Sequence, residues 1–252
     1  MSAMRLSAPL TEAWRTVVPA ADDPHRPLPP LLLGLTVVTG LVDAFSYLVL
    51  GHVFVANMTG NVVFLGFALA GASGFSLAAS LVALAAFGLG ALAGGRVSKR
   101  LGMHRGHLLA VAAAVEACLV VASVGIAATV GDPGSGVARY LLIVLLGVAT
   151  GTQNAAARKL AVPDLTTTVL TLTITGIFAD GPLAGGAASK LGRRLTSIAS
   201  MFLGGLVGAV LVLHADASLA IAAAAAILVV VAAAAALQSR TDRPLLGASQ
   251  AP

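Results

Sequence analysis

From Gly40 to Asn61 the chain reads Gly40-Leu-Val-Asp43-Ala-Phe-Ser46-Tyr47-Leu-Val-Leu-Gly51-His52-Val-Phe-Val-Ala-Asn57-Met-Thr59-Gly60-Asn61, which sets one carboxylate and two carboxamides inside a strongly apolar stretch. An ionisable side chain in hydrocarbon costs between roughly 2.5 and 17 kcal/mol, depending on how far it can snorkel toward water. Such groups therefore face a bundle interior, a partner or a water-filled path. Asp43 is the first candidate for a proton-loading group, with Asn57, Thr59 and Asn61 as candidate solute contacts.

The rest of the chain sets this stretch in a membrane. Of 252 residues 58% are hydrophobic and 10% charged, with mean hydropathy +0.97, against about 25% charged residues in soluble domains. Apolar runs fall at about 31–50, 54–72, 75–95, 108–130, 138–157, 165–180, 195–213 and 217–237. Most of them approach the roughly 20 residues that cross a core about 30 Å thick. They are rich in Ala, Gly and Leu, which lets helix backbones approach closely, whereas barrel strands would be shorter and alternating. The expected class is an all-α polytopic bundle, a single membrane domain over 31–237. Its halves are 31–130 and 138–237, flanked by flexible cytoplasmic tails at 1–30 and 238–252.

The charge pattern narrows the topology. With all eight runs crossing and the N-terminus inside, nine Lys and Arg lie inside and six outside. If the runs at 54–72 and 165–180 are short or re-entrant, fourteen lie inside and only Arg139 outside, a far better fit to the positive-inside rule. Leu165–Phe178 would extend only about 21 Å as a helix and carries Thr166, Thr167, Thr168, Thr171, Thr173 and Thr175 between Asp164 and Asp180. The reading is six spans plus two non-crossing segments in the bacterial inner membrane, with both termini cytoplasmic; eight spans is the alternative. The net charge of +5 is topogenic and implies no nucleic-acid partner.

The halves also echo each other. A shift of 111 residues sets Thr39-Gly40-Leu-Val-Asp43-Ala over Thr150-Gly151-Thr-Gln153-Asn154-Ala, and a shift of one more sets Met58-Thr59 over Leu170-Thr171. Three spans per half would make an inverted internal repeat, the plan of many secondary transporters, whose sites lie near the midplane where interrupted helices meet.

Taken in order, Gly40-Leu-Val-Asp43-Ala, Val55-Ala-Asn57-Met-Thr59-Gly60-Asn61, Gly151-Thr-Gln153-Asn154-Ala-Ala-Ala-Arg158 and Val162-Pro163-Asp164-Leu-Thr166-Thr167-Thr168 resemble the YoaK-like bacterial inner-membrane proteins, a family of unknown function. The resemblance covers residues 31–237 and implies a compact polytopic protein of the kind often taken for a transporter. It supplies no substrate, and Leu172 departs from it where a glycine commonly follows the threonine.

The expected function is transport of a small solute, proton-coupled through Asp43, with Glu116 and Asp180 as further proton candidates. Asn57, Thr59, Asn61, Gln153, Asn154, Asp164, Thr167, Thr168 and Thr171 would bind the solute or an ion. The competing reading is a membrane scaffold or assembly protein whose polar motifs only join helices. No metalloprotease pair, Walker sequence or nucleophile elbow is present, and the single Cys118 allows neither an internal disulfide nor a thiolate cage. No enzyme, metal or cofactor is expected. The partners are the bilayer, the solute and, as an option, further copies of the chain.

Overall fold

A computed structural model describes residues 7–20, 23, 25–101, 104–168, 170–181, 184–186 and 190–239. Regular structure among them is helical: α1 Ser7–Val17, α2 Leu28–Val49, α3 Met58–Leu69, α4 Leu77–Leu101, α5 Arg105–Thr129, α6 Gly136–Leu160, α7 Leu170–Ala179, α8 Leu191–His214 and α9 Ala217–Ser239. Six of these, α2, α4, α5, α6, α8 and α9, are long and apolar enough to cross a membrane. With 12 residues α3 rises about 18 Å, and with 10 residues α7 rises about 15 Å, so neither spans the core. Six spans therefore stand and the eight-span alternative does not.

Pro29 and Pro30 open α2, where the first-turn N–H groups have no helical partner to lose. The helix accordingly begins ahead of the expected boundary at 31. The N-terminal reading needs a larger correction, since Ser7–Val17 is helical and docks on α8. Glu12 accepts a hydrogen bond from the Gly192 N–H at 2.9 Å, and buried Thr16 bonds back to the Glu12 carbonyl at 2.9 Å. Tail residues 1–6 and 240–252 lie outside the described residues.

Small residues set the packing. A Cβ on Gly40 would stand 2.5 Å from the Met201 carbonyl and 2.6 Å from the Gly205 nitrogen. On Gly151 it would stand 2.2 Å from the Phe87 carbonyl and 2.9 Å from the Ala91 nitrogen. Backbone thus meets backbone between α2 and α8 and again between α4 and α6, both parallel pairs. α5 packs on α6 and α9, and α9 also on α2, with α2 and α6 the most buried spans.

Contacts at the helix ends decide how the short helices thread. Arg105, at the start of α5, donates to the Leu160 carbonyl at the end of α6 and lies 3.3 Å from His25 ahead of α2. On the opposite face Arg139, at the start of α6, donates to the Leu50 carbonyl at 2.7 Å, and His52 meets the Gly74 carbonyl at 3.0 Å. The chain therefore leaves α2 and enters α4 on one face, so α3 belongs to a re-entrant hairpin. The segment between α6 and α8 does the same from the other side. Apart from Arg139, the described lysines and arginines lie at helix ends on the face that holds Arg105, called the basic face below.

Candidate functional site

An extended segment at membrane depth carries backbone groups that lipid cannot satisfy, and Asp43 supplies them. About 10 Å inside the end of α2, its Oδ1 accepts from the N–H of Val55 at 3.1 Å and of Ala56 at 2.9 Å, while Oδ2 accepts from the Asn57 carboxamide. Asn61 closes the turn by pairing with the Phe54 backbone in both directions, at 2.9 and 2.5 Å. Thr150 of α6 donates to the Val55 carbonyl at 2.5 Å. Asp43, Asn57 and Asn61 thus form the buried clasp of the first hairpin, while Thr59 stands exposed on α3.

The second hairpin has a neutral version of the same clasp. Thr168 donates to Asn154 at 2.6 Å, across the same fourteen-residue separation that joins Asn57 to Asp43. At its neck Arg194 of α8 donates to Asp164 at 3.1 Å, to Asp180 at 2.7 Å and to the Gly176 carbonyl at 2.5 Å, and Lys190 lies 3.8 Å from Asp164. Asp164 and Asp180 are therefore ion-paired at the basic face. Thr171 is exposed on α7.

Gln153 belongs to a third group. It lies between Glu116 of α5, Thr39 of α2 and Thr167 at the hairpin tip, and all four are at most 2% exposed. When its amide nitrogen faces Glu116 it donates to the two carboxylate oxygens at 2.6 and 3.0 Å, and its oxygen accepts from Thr39 and Thr167 at 3.1 Å each. The orientation of such an amide is assigned from its neighbours. No ion pair joins Glu116 to a described cation. The candidate residues hence fall into separate groups and do not converge on one site.

Two cavities adjoin the clasps. One of about 750 Å³ opens on the basic face against Phe87, Ala91, Asn154, Ala155, Arg158 and Thr168. The other, of about 330 Å³, lies in the half of the bundle toward the opposite face, against Met201, Gly205, Asp43, Ala44, Tyr47 and Asn57. In that order the two sets correspond pair by pair, 114 residues apart for the first two pairs and 111 for the other four. Glu116 and Gln153 line neither cavity. Sequence reasoning missed Arg194 as the neck clasp and gave no role to Thr39 and Thr150, although the aligned Thr-Gly pairs in the two halves already marked them.

Among the described residues no group of three side chains suited to a metal ion occurs. A family model described as a protein of unknown function, DUF1275, matches residues 31–234. The chain is 35% identical over 151 residues to the UPF0700 transmembrane protein YoaK of Bacillus subtilis (strain 168). That alignment covers 60% of this chain and 65% of the relative, just short of two thirds of it. No solved structure matches. The chain is thus a multi-pass membrane protein that belongs to the YoaK-like DUF1275 family.

Proposed function

We propose that this protein is a carrier that moves a small solute across the bacterial cytoplasmic membrane by alternating access, with the basic face toward the cytoplasm. The observation that carries the reading is the pair of cavities, which lie toward opposite faces against corresponding residues of the two halves. That correspondence supports an inverted repeat, in which one half can take up the conformation of the other and so exchange the open side. The larger cavity lies at the basic face, which supports reading the described conformation as the cytoplasm-open one.

The polar clasps enter as structural parts. Asp43, with three donors, holds a hairpin in place, and proton coupling is assigned instead to Glu116. The solute contacts are the cavity-facing groups of Asn154, Thr168 and Thr166 on one side and of Asn57 on the other. The reading gives the chain no catalytic step, no cofactor and no nucleic-acid partner, and leaves copies of the chain free to associate in the bilayer.

Accessibility tests it. In a Cys118→Ala background, Ala155→Cys should react with an impermeant thiol reagent from the cytoplasmic side, and Ala44→Cys slowly from outside. A bifunctional thiol cross-linker joining Lys99→Cys to Val162→Cys, on two walls of the basic-face cavity, should raise the rate at Ala44→Cys several-fold. An unchanged rate after complete cross-linking supports the scaffold reading.

A further inference from the structure

Glu116 is the buried carboxylate that neither hairpin neck nor cavity engages. The side-chain amide opposite it can turn half a revolution about its last bond at little torsional cost, and each orientation suits one protonation state of the carboxyl. When Glu116 is ionised both its oxygens can only accept. The Gln153 nitrogen then faces them at 2.6 and 3.0 Å, and the Gln153 oxygen takes the hydroxyl protons of Thr39 and Thr167. When Glu116 has bound a proton, its new O–H donates to the Gln153 oxygen across the same 2.6 Å. The nitrogen, turned away, donates to Thr39 at 3.1 Å, and the Thr39 hydroxyl donates to the Leu35 carbonyl at 3.0 Å. One proton is gained and no other covalent bond changes. What differs is Thr167, which donates to the Gln153 oxygen at 3.1 Å in the first arrangement and in the second meets the amide nitrogen in that place, to which it can no longer donate and which it shares with Thr39.

Thr167 is a poor residue to hold less firmly. Its φ of +64° lies in the left-handed region, which a β-branched residue adopts only under constraint from its surroundings. We propose that Glu116 is a proton-binding site whose occupancy turns the Gln153 amide and so tightens or loosens its hold on the tip of the second re-entrant hairpin. The surrounding charges leave it isolated. α9 carries no ionisable residue, and α6 offers Arg158 and Lys159 at its basic end and Arg139 and Tyr140 at the other. On α2, Asp43 is engaged with the first hairpin, and on the second hairpin Asp164 is engaged with Arg194. Arg105 and His107 of α5 and Arg96, Lys99 and Arg100 of α4 lie toward the basic face. The inference deepens the carrier reading by giving its coupling site a mechanism, and its test uses no flux, so either can fail alone.

The test uses the full chain in lipid nanodiscs, with Cys118→Ala and a nitroxide label at Thr166→Cys. Infrared difference spectra over about pH 5 to 9 should show a protonated carboxyl band that grows toward acid and is missing from Glu116→Gln. Label mobility should rise over the same range, and in Glu116→Gln it should be high at every pH. Gln153→Leu, which keeps the carboxyl and removes the relay, should retain the band and lose the pH response of the label. The proposal is overturned if no band depends on Glu116. It is equally overturned if the label's pH response is absent from the parent or survives either substitution.

Discussion

Asp43 offers the sharpest test of the claim that the first polar motif is a clasp. Removing its carboxylate in Asp43→Ala strands the Val55 and Ala56 N–H groups and one N–H of Asn57, all buried or half-buried. A stranded donor costs about 1–3 kcal/mol. The cavity beside Asp43 and Asn57 admits some water, so the expected loss is about 3–5 kcal/mol, toward the low end of the simple sum. Asp43→Asn keeps one oxygen for the two backbone donors and loses charge assistance, since charged hydrogen bonds contribute about 1.5–3 kcal/mol and neutral ones about 0.5–1.5. Its expected cost is about 1–2 kcal/mol. In Asn57→Ala the carboxylate keeps its two backbone donors, and a double-mutant cycle with Asp43→Asn should yield a coupling of at least about 1 kcal/mol. Reversible unfolding in mixed micelles, followed by circular dichroism, measures all three. If Asp43→Ala lies within about 0.5 kcal/mol of the parent the clasp is refuted, and proton binding should in any case survive Asp43→Asn.

The close helix contacts predict that Gly40→Ala and Gly151→Ala each lose about 2 kcal/mol or more, because the added methyl meets backbone atoms of α8 or α4. Gly66→Ala, with open space around it, should be neutral or slightly stabilising in the same unfolding assay. Burial, with Arg105 alongside, lowers the His25 imidazole from its ordinary value of 6.5. The unfolded chain therefore binds that proton first, so stability is intact above about pH 6.5 and declines as pH falls through 6.5 toward the folded value. His25→Gln should flatten that acid decline in melting-temperature measurements. Cysteines placed at 96–100, 158–162 or 190–193 should react with an impermeant thiol reagent only from the cytoplasmic side, and those at 131–136 only from outside; the reverse pattern would invert the orientation.

The fold was legible where composition and charge left few choices. Six spans followed from run lengths and from the isolation of Arg139, whose place on the opposite face has a local cause, since it caps the Leu50 carbonyl at the end of α2. The re-entrant hairpins were legible because short polar runs at membrane depth have few other uses. The N-terminal helix was not, because six prolines among the first 30 residues read as a tail. It docks through Glu12, which accepts from the Gly192 N–H 180 residues away, a contact that no local pattern reports. The structural part played by Asp43 was hidden for a related reason. Asp43 carries the same sequence signal whether it loads protons or fastens a backbone, and only its three donors distinguish the two.

Comparison of the proposed halves separates scaffolding from chemistry. The clasp occurs twice, as Asp43 with Asn57 and as Asn154 with Thr168, and the close helix contacts occur twice, at Gly40 and at Gly151. A device needed to thread a hairpin through each half must recur in each half. The buried carboxyl group does not recur. At a spacing of 111 residues Gln153 and Thr167 are matched by Val42 and Ala56, and at 112 Glu116 by Leu228, while only Thr39 keeps its hydroxyl counterpart in Thr150. Packing alone is served by the apolar set, as the fully buried Leu228 and Val42 demonstrate, and it gives no reason to bury an acid and an amide in the other half. The unrepeated set therefore has a use that the repeated architecture does not require. Proton coupling in the proposed carrier accordingly rests on Glu116, while Asp43, the residue that first drew attention in the sequence, fastens the first hairpin.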